Sequence, residues 1–110
     1  MARRILLGFA VVLLACMQLS AQKARDVSGT VTDARGNVLP KVAVTLENAN
    51  TLAVRSYITG QDGRYHFEGL NDDVDFVLKA HYRDYWSKPK TLSKFNSEPH
   101  PVVVLVIPID

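Results

Sequence analysis

Cysteine is nearly missing from this sequence: Cys16 alone occurs among 110 residues. A lone thiol has no partner within the chain, so no internal disulfide staples the fold. Long apolar runs are equally scarce. The one that exists, Ile5 to Ala15, is about half of the roughly 20 residues a membrane-spanning helix needs, so no span is expected. Catalytic signatures are missing too. The chain has no Gly-x-Ser-x-Gly elbow, no His-Glu-x-x-His and no Gly-rich phosphate loop, and neither an enzyme nor a cofactor is expected. Nor is there an excess of one charge: 13 basic residues face 11 acidic ones, and without Arg3 and Arg4 the count is 11 to 11. A balance of that kind leaves no electrostatic footprint for nucleic acid or an anionic membrane.

What is present begins with a secretion grammar. Arg3 and Arg4 form a positive start, Ile5–Ala15 an apolar core, and polarity returns at Gln18, Ser20, Gln22 and Lys23. This is the pattern of a removable signal peptide, with Leu19-Ser20-Ala21 offering a small residue for a cut after Ala21. Leu13-Leu14-Ala15-Cys16 also resembles a lipobox, which would instead leave a lipid on Cys16. The expected division is a signal peptide at 1–21, a short linker at 22–25 and one domain at 26–110, exported to the periplasm or beyond. A chain of this length has room for a single core.

From Asp26 onward apolar residues recur with period two, and turn residues punctuate them about every ten positions, which predicts short antiparallel strands. Val27, Gly29 and Val31 alternate with Ser28, Thr30 and Thr32 before the turn Asp33–Asn37. Val42, Val44 and Leu46 form a second strand, 52–59 a third, and Tyr65 and Phe67 a short fourth behind the turn Gly60–Gly63. Val74, Phe76, Leu78, Ala80 and Tyr82 share one face of a fifth strand, with Asp75, Lys79, His81 and Arg83 on the other. Ser87–Ser93, with Pro89 and two lysines, suits a guarded edge. Pro101–Ile109 is apolar on both faces, which implies a covered strand or a surface used by a partner. Either Tyr57 and its neighbours or another molecule is expected to cover it. Seven short strands in about 85 residues predict an all-β, two-sheet antiparallel sandwich.

The residues Ser28-Gly29-Thr30-Val31-Thr32-Asp33, Gly36, Leu39-Pro40 and Val42–Leu46, followed by Asp62-Gly63-Arg64-Tyr65-His66-Phe67-Glu68-Gly69-Leu70, resemble the carboxypeptidase regulatory-like domain. The likeness is good from Asp26 to about Ala80 and rests on strand order alone thereafter. It implies a seven-stranded, transthyretin/prealbumin-like (Ig-like) sandwich of the carbohydrate-binding-like kind. Such domains occur beside metallocarboxypeptidases, at the start of outer-membrane receptors and as small free-standing exported proteins. The resemblance transfers architecture and no activity.

Binding residues are weighed within that frame. His66 and Glu68 form an exposed pair, His81 faces outward and His100 sits between prolines. A zinc site needs three or four converging ligands, so no metal is expected. Asn71-Asp72-Asp73-Val74-Asp75 imitates the start of a calcium loop but lacks the glycine and glutamate that complete one, which leaves an acidic turn. The segment His81–Trp86 gathers two tyrosines and the only tryptophan. Tyr82, Arg83, Tyr85 and Trp86 are the candidate ligand-binding residues, because aromatic faces stack on sugar rings. The competing expectation, preferred here, is that Tyr82 and Trp86 close one end of the core. The functional expectation is a non-catalytic module that binds a protein partner or assists envelope assembly, with carbohydrate binding through the aromatic segment as the alternative.

Overall fold

A computed structural model describes residues 24–110, and no helix occurs among them. The expected signal peptide, its cut after Ala21 and the lipid site at Cys16 lie outside the described residues. Eight strands follow in order: β1 (Ala24–Thr32), β2 (Ala43–Asn48), β3 (Val54–Ile58), β4 (Arg64–Asn71), β5 (Phe76–Tyr82), β6 (Tyr85–Trp86), β7 (Lys90–Leu92) and β8 (Leu105–Val106). They form two sheets, one ordered β4-β1-β8 and the other β3-β2-β5-β6 with β7 also on β5. The expected all-β sandwich is therefore present. Its strand count differs because the segment after Tyr82 breaks at Pro89 into two short pieces, one on each side of the proline.

Alternation decides which side chains meet. Val27 and Val31 of β1, Val44 and Leu46 of β2, Tyr65 and Phe67 of β4 and Leu78 and Ala80 of β5 are buried between the sheets. Their strand neighbours point outward, as a period of two requires. Burial of this kind is the main stabilising term in a domain without disulfides, at roughly 1.5–3 kcal/mol per large apolar side chain.

β8 departs from the antiparallel rule. It lies parallel to β1, with Val31 opposite Leu105 and Thr32 opposite Val106. The chain reaches it by crossing from one sheet to the other after β7. Its approach is already bonded to β1: Asp26 N donates to the Pro99 carbonyl at 3.0 Å, Ser28 N to Pro101 at 3.2 Å, and Val103 N to Ser28 at 2.9 Å.

Glycine is required at this close approach and at one turn. A Cβ on Gly29 would overlap the Val103 carbonyl, because β8 and the Tyr65 ring both press on that point of β1. The Tyr65 hydroxyl donates to the same carbonyl at 2.7 Å, and burial raises the phenol pKa above its ordinary 10. Gly63 has φ +70°, and a Cβ there would stand 2.8 Å from the Val38 Cβ, so the turn before β4 needs glycine on both counts.

The turn after β1 is set by Asp33. One carboxylate oxygen accepts the Arg35 and Asn37 amides, each at 2.9 Å. These N–H donors, that of Asn37 foremost, hold the carboxyl below its ordinary pKa of 3.8, since they stabilise the ionised form.

Candidate functional site

The four candidate residues lie on one hairpin. β5 and β6 pair with His81 opposite Trp86 and Tyr82 opposite Tyr85, so the turn is the two residues Arg83-Asp84. Arg83 takes the left-handed φ of 55°, which a two-residue hairpin turn demands and which is costly for a side chain other than glycine. Ser87 fastens the hairpin's far side. Its amide donates to the Ala80 carbonyl at 2.9 Å and its hydroxyl accepts the Ala80 amide at 2.8 Å.

That register separates the four residues. Tyr82 and Tyr85 share one face, and Tyr82 packs partly buried against the core with the Arg83 guanidinium 5.1 Å from its ring centroid. Trp86 shares the opposite face with His81. Their rings stack at 4.2 Å with planes 15° apart, and the Lys79 ammonium lies 5.7 Å from the indole centroid.

Trp86 is 51% exposed, which corrects the expectation that it closes the core. The reason is parity. Leu78 and Ala80 face inward, so His81 faces outward, and a two-residue turn places Trp86 on His81's face. Tyr82 does reach the core's end, as expected.

β8 carries a second surface. Leu105 and Ile107 are fully buried, while Val102, Val104 and Val106 are 72%, 47% and 45% exposed. Tyr57, expected among the covers of β8, sits edge-on to Phe67 at 6.1 Å and reaches only the groove beside Val102, so the three valines stay exposed. Beside them, Ser28, Thr30, Tyr57, Arg64, His66 and Val102 line a shallow groove of about 470 Å³.

Arg25, placed by the sequence in the linker, belongs to β1 and is 2% exposed. Its guanidinium donates to the carbonyls of Ser93 and Val74, each at 2.7 Å, and lies 6.0 Å from the Phe76 ring centroid. It ties two loops to the open end of the sandwich. The signal was its parity, since Arg25, Val27, Gly29 and Val31 fall on one face. At the same end lies a cleft of about 520 Å³ lined by Asp72, Lys94 and Glu98 among others.

The remaining polar residues have local roles. His66 Nδ1 is 3.6 Å from Glu68 and His100 Nδ1 3.2 Å from Asp26, both pairs in contact with solvent. Asn71 accepts the Asp73 amide at 2.9 Å, and Asp75 accepts the Lys94 amide at 2.6 Å, so the acidic stretch shapes turns. Among the described residues, no three His, Cys, Asp or Glu side chains converge as a metal site would require.

A family model described as the carboxypeptidase regulatory-like domain matches residues 26–103. No curated protein matches the sequence. Among solved structures, the fold is similar to the dioxygenase domain of a dioxygenase carbohydrate-binding protein fusion from Streptomyces sp. SirexAA-E. That match has a TM-score of 0.59, 14% identity and 83% of each chain covered. It is also similar to catechol 1,2 dioxygenase of Acinetobacter radioresistens, with TM-score 0.62, 11% identity and 84% of this chain against 54% of that one. A DUF3823 family protein from Parabacteroides merdae gives TM-score 0.58 and 19% identity, with 80% of this chain on 47% of that one. The chain thus spans about half the length of the last two. At these identities the likeness is one of fold.

Proposed function

The chain belongs to the carboxypeptidase regulatory-like domain family, and from that premise we propose that it is an exported, non-catalytic binding module that docks a protein partner through the β8 edge. The carrying observation is the row of Val102, Val104 and Val106 along β8 and the segment leading into it, which pairs with β1 on one side only. Export is supported by the basic start and apolar core of residues 3–15, followed by the small residue Ala21.

The physical case is one of contrast between edges. Exposed apolar strand edges attract other chains, and proteins ordinarily guard them with lysine, proline or short length. The β6–β7 side has Lys88, Pro89 and Lys90. On β8, prolines 101 and 108 limit the length, but the six residues between them carry no charge. A partner segment laid along β8 buries three valines at about 25 cal/mol per Å² of apolar surface removed from water.

The test places a photo-crosslinking residue at Val104 or, as control, at Asp62, in the protein expressed in its own cells. An adduct of one defined mass from Val104 alone is the expected result. Identical adducts from both positions, or none, would overturn the docking surface. N-terminal sequencing of the same material reads export separately: a start at Gln22 supports the free form, a lipid-bearing Cys16 the tethered one, and an intact Met1 overturns export.

A further inference from the structure

Charge is balanced over the chain but not over the fold. Between positions 79 and 94 the sequence holds Lys79, Arg83, Lys88, Lys90 and Lys94 against one acid, Asp84; from Gln22 onward the remaining residues hold six basic side chains and ten acidic. The sheet of β2, β3, β5, β6 and β7 collects the positive group along its β5–β7 side. Each of these cations is exposed or half-buried, and among the described residues none of the five side chains has a carboxylate within ion-pair distance.

The outer face of that sheet adds three further features. Strand register puts Trp86, His81, Ala43 and Ile58 in one row across four strands, and Lys79, Thr45 and Ser56 in the next. The indole is half exposed, its orientation held by the stack on His81 and the nearby Lys79 ammonium. A ring restrained in this way loses little freedom when a ligand stacks on it. The Ser56 hydroxyl offers a donor and an acceptor beside the Lys79 ammonium, the Thr45 hydroxyl, which donates to the Lys79 carbonyl at 3.5 Å, offers an acceptor, and Thr91 lies one row further, in the row that also holds Glu47.

We propose that this face binds an acidic polysaccharide, with a pyranose ring against Trp86 and the carboxylates or sulfates of neighbouring sugars on Lys79 and on Lys88 at its edge. Each component answers to one part of such a chain: the aromatic face to the ring's C–H groups, the hydroxyls to its own hydroxyls, and the unpaired ammonium groups to its repeating negative charge. A neutral glucan would leave the cations unused. A nucleic acid would also stack and meet the cations, and the titration with single-stranded poly-dT separates it from an acidic polysaccharide. The site lies on a different sheet from the β8 edge, so the two proposals stand or fall separately.

Trp86 is the only tryptophan in the chain, so its fluorescence reads the site directly. The purified protein is titrated with polygalacturonate, dextran and single-stranded poly-dT at about 50 mM and about 500 mM salt, which sets the screening length. The expected result is a fluorescence change with polygalacturonate, weakened by salt and absent with dextran. Trp86→Ala, followed by light scattering or pull-down on immobilised polymer, is expected to lose roughly tenfold in affinity with a fall in melting temperature of no more than a few degrees. Lys79→Gln with Lys88→Gln is expected to flatten the salt dependence. Equal binding of dextran would overturn the acidic preference, equal binding of poly-dT would reduce the face to a general polyanion surface, and undiminished binding by Trp86→Ala would place the ligand elsewhere. Each of these three results, like binding to none of the polymers, defeats the proposal while leaving the β8 docking test intact.

Discussion

β8 and the β5–β6 hairpin are both borders of a sheet, and they are built on opposite plans. β8 is held from inside: Tyr65 reaches over Gly29 to its carbonyl, its alternate residues are buried, and its outer side is bare valine. The hairpin is held locally by a two-residue turn and Ser87, and its outer side is aromatic and cationic. One border therefore depends on the whole core for its position, whereas the other depends on its own few hydrogen bonds. Substitutions at the first should unsettle the domain, and substitutions at the second should change its surface alone.

The most severe break of that contrast is Gly29→Ala. The added methyl group collides with the Val103 carbonyl, and the obstacle is backbone that must carry all of β8 with it. A loss above about 4 kcal/mol is expected, read as failure to obtain a folded, soluble product or as a collapse of the urea midpoint. Tyr65→Phe is milder. It removes one buried hydrogen bond and leaves the carbonyl unsatisfied, at about 1–3 kcal/mol.

The same tyrosine also makes a pH prediction. Because burial raises its pKa above 10, the unfolded chain ionises first, and the stability it confers is whole below pH 10 and falls as pH climbs beyond that. Alkaline melts of the wild type should therefore decline above pH 10 more steeply than those of Tyr65→Phe.

On the hairpin side, Trp86→Ala should cost under about 1 kcal/mol, against the 3–5 kcal/mol expected for a core aromatic. A loss in that larger range would erase the distinction between the two borders. The smallest effect sharpens the account of the β1 turn. Asp33 titrates below 3.8 in the folded chain, so its contribution is complete above that pH and disappears as acid takes the pH down through the folded value. Asp33→Asn keeps an acceptor oxygen but no charge. Its melts should lie closest to the wild type in strong acid and diverge as the pH rises past 4.

Most of the architecture was legible in β1, β2 and β5, where core-facing apolar residues recur at every second position. Trp86 was misread because its face depends on the length of one turn. A two-residue link sets it beside His81, a three-residue link would have set it beside Tyr82, and Arg83-Asp84 contains no glycine to declare the choice. Arg25 was hidden by its charge, since an arginine in an alternating series reads as a solvent residue until two carbonyls are shown to meet it. The run from Val102 to Ile107 has no visible alternation at all, so only the folded chain could separate its buried members from its exposed ones. Nor could its parallel direction be read locally, because that follows from the crossing between sheets.

The parallel run of β8 along β1 also sets how the domain bears load. Ala24 enters at one end of the sandwich, and Ile109 leaves at the other, where its carbonyl accepts the Ala34 amide at 2.8 Å. Tension applied between Ala24 and Asp110 pulls the two strands lengthwise past each other, so that the bonds from Pro99 to Ile107 are strained together instead of opening one by one like a zipper. A domain strung between an anchor and a moving partner would resist such a pull as a shear clamp, with a lifetime under force governed by the rate at which β8 slides free.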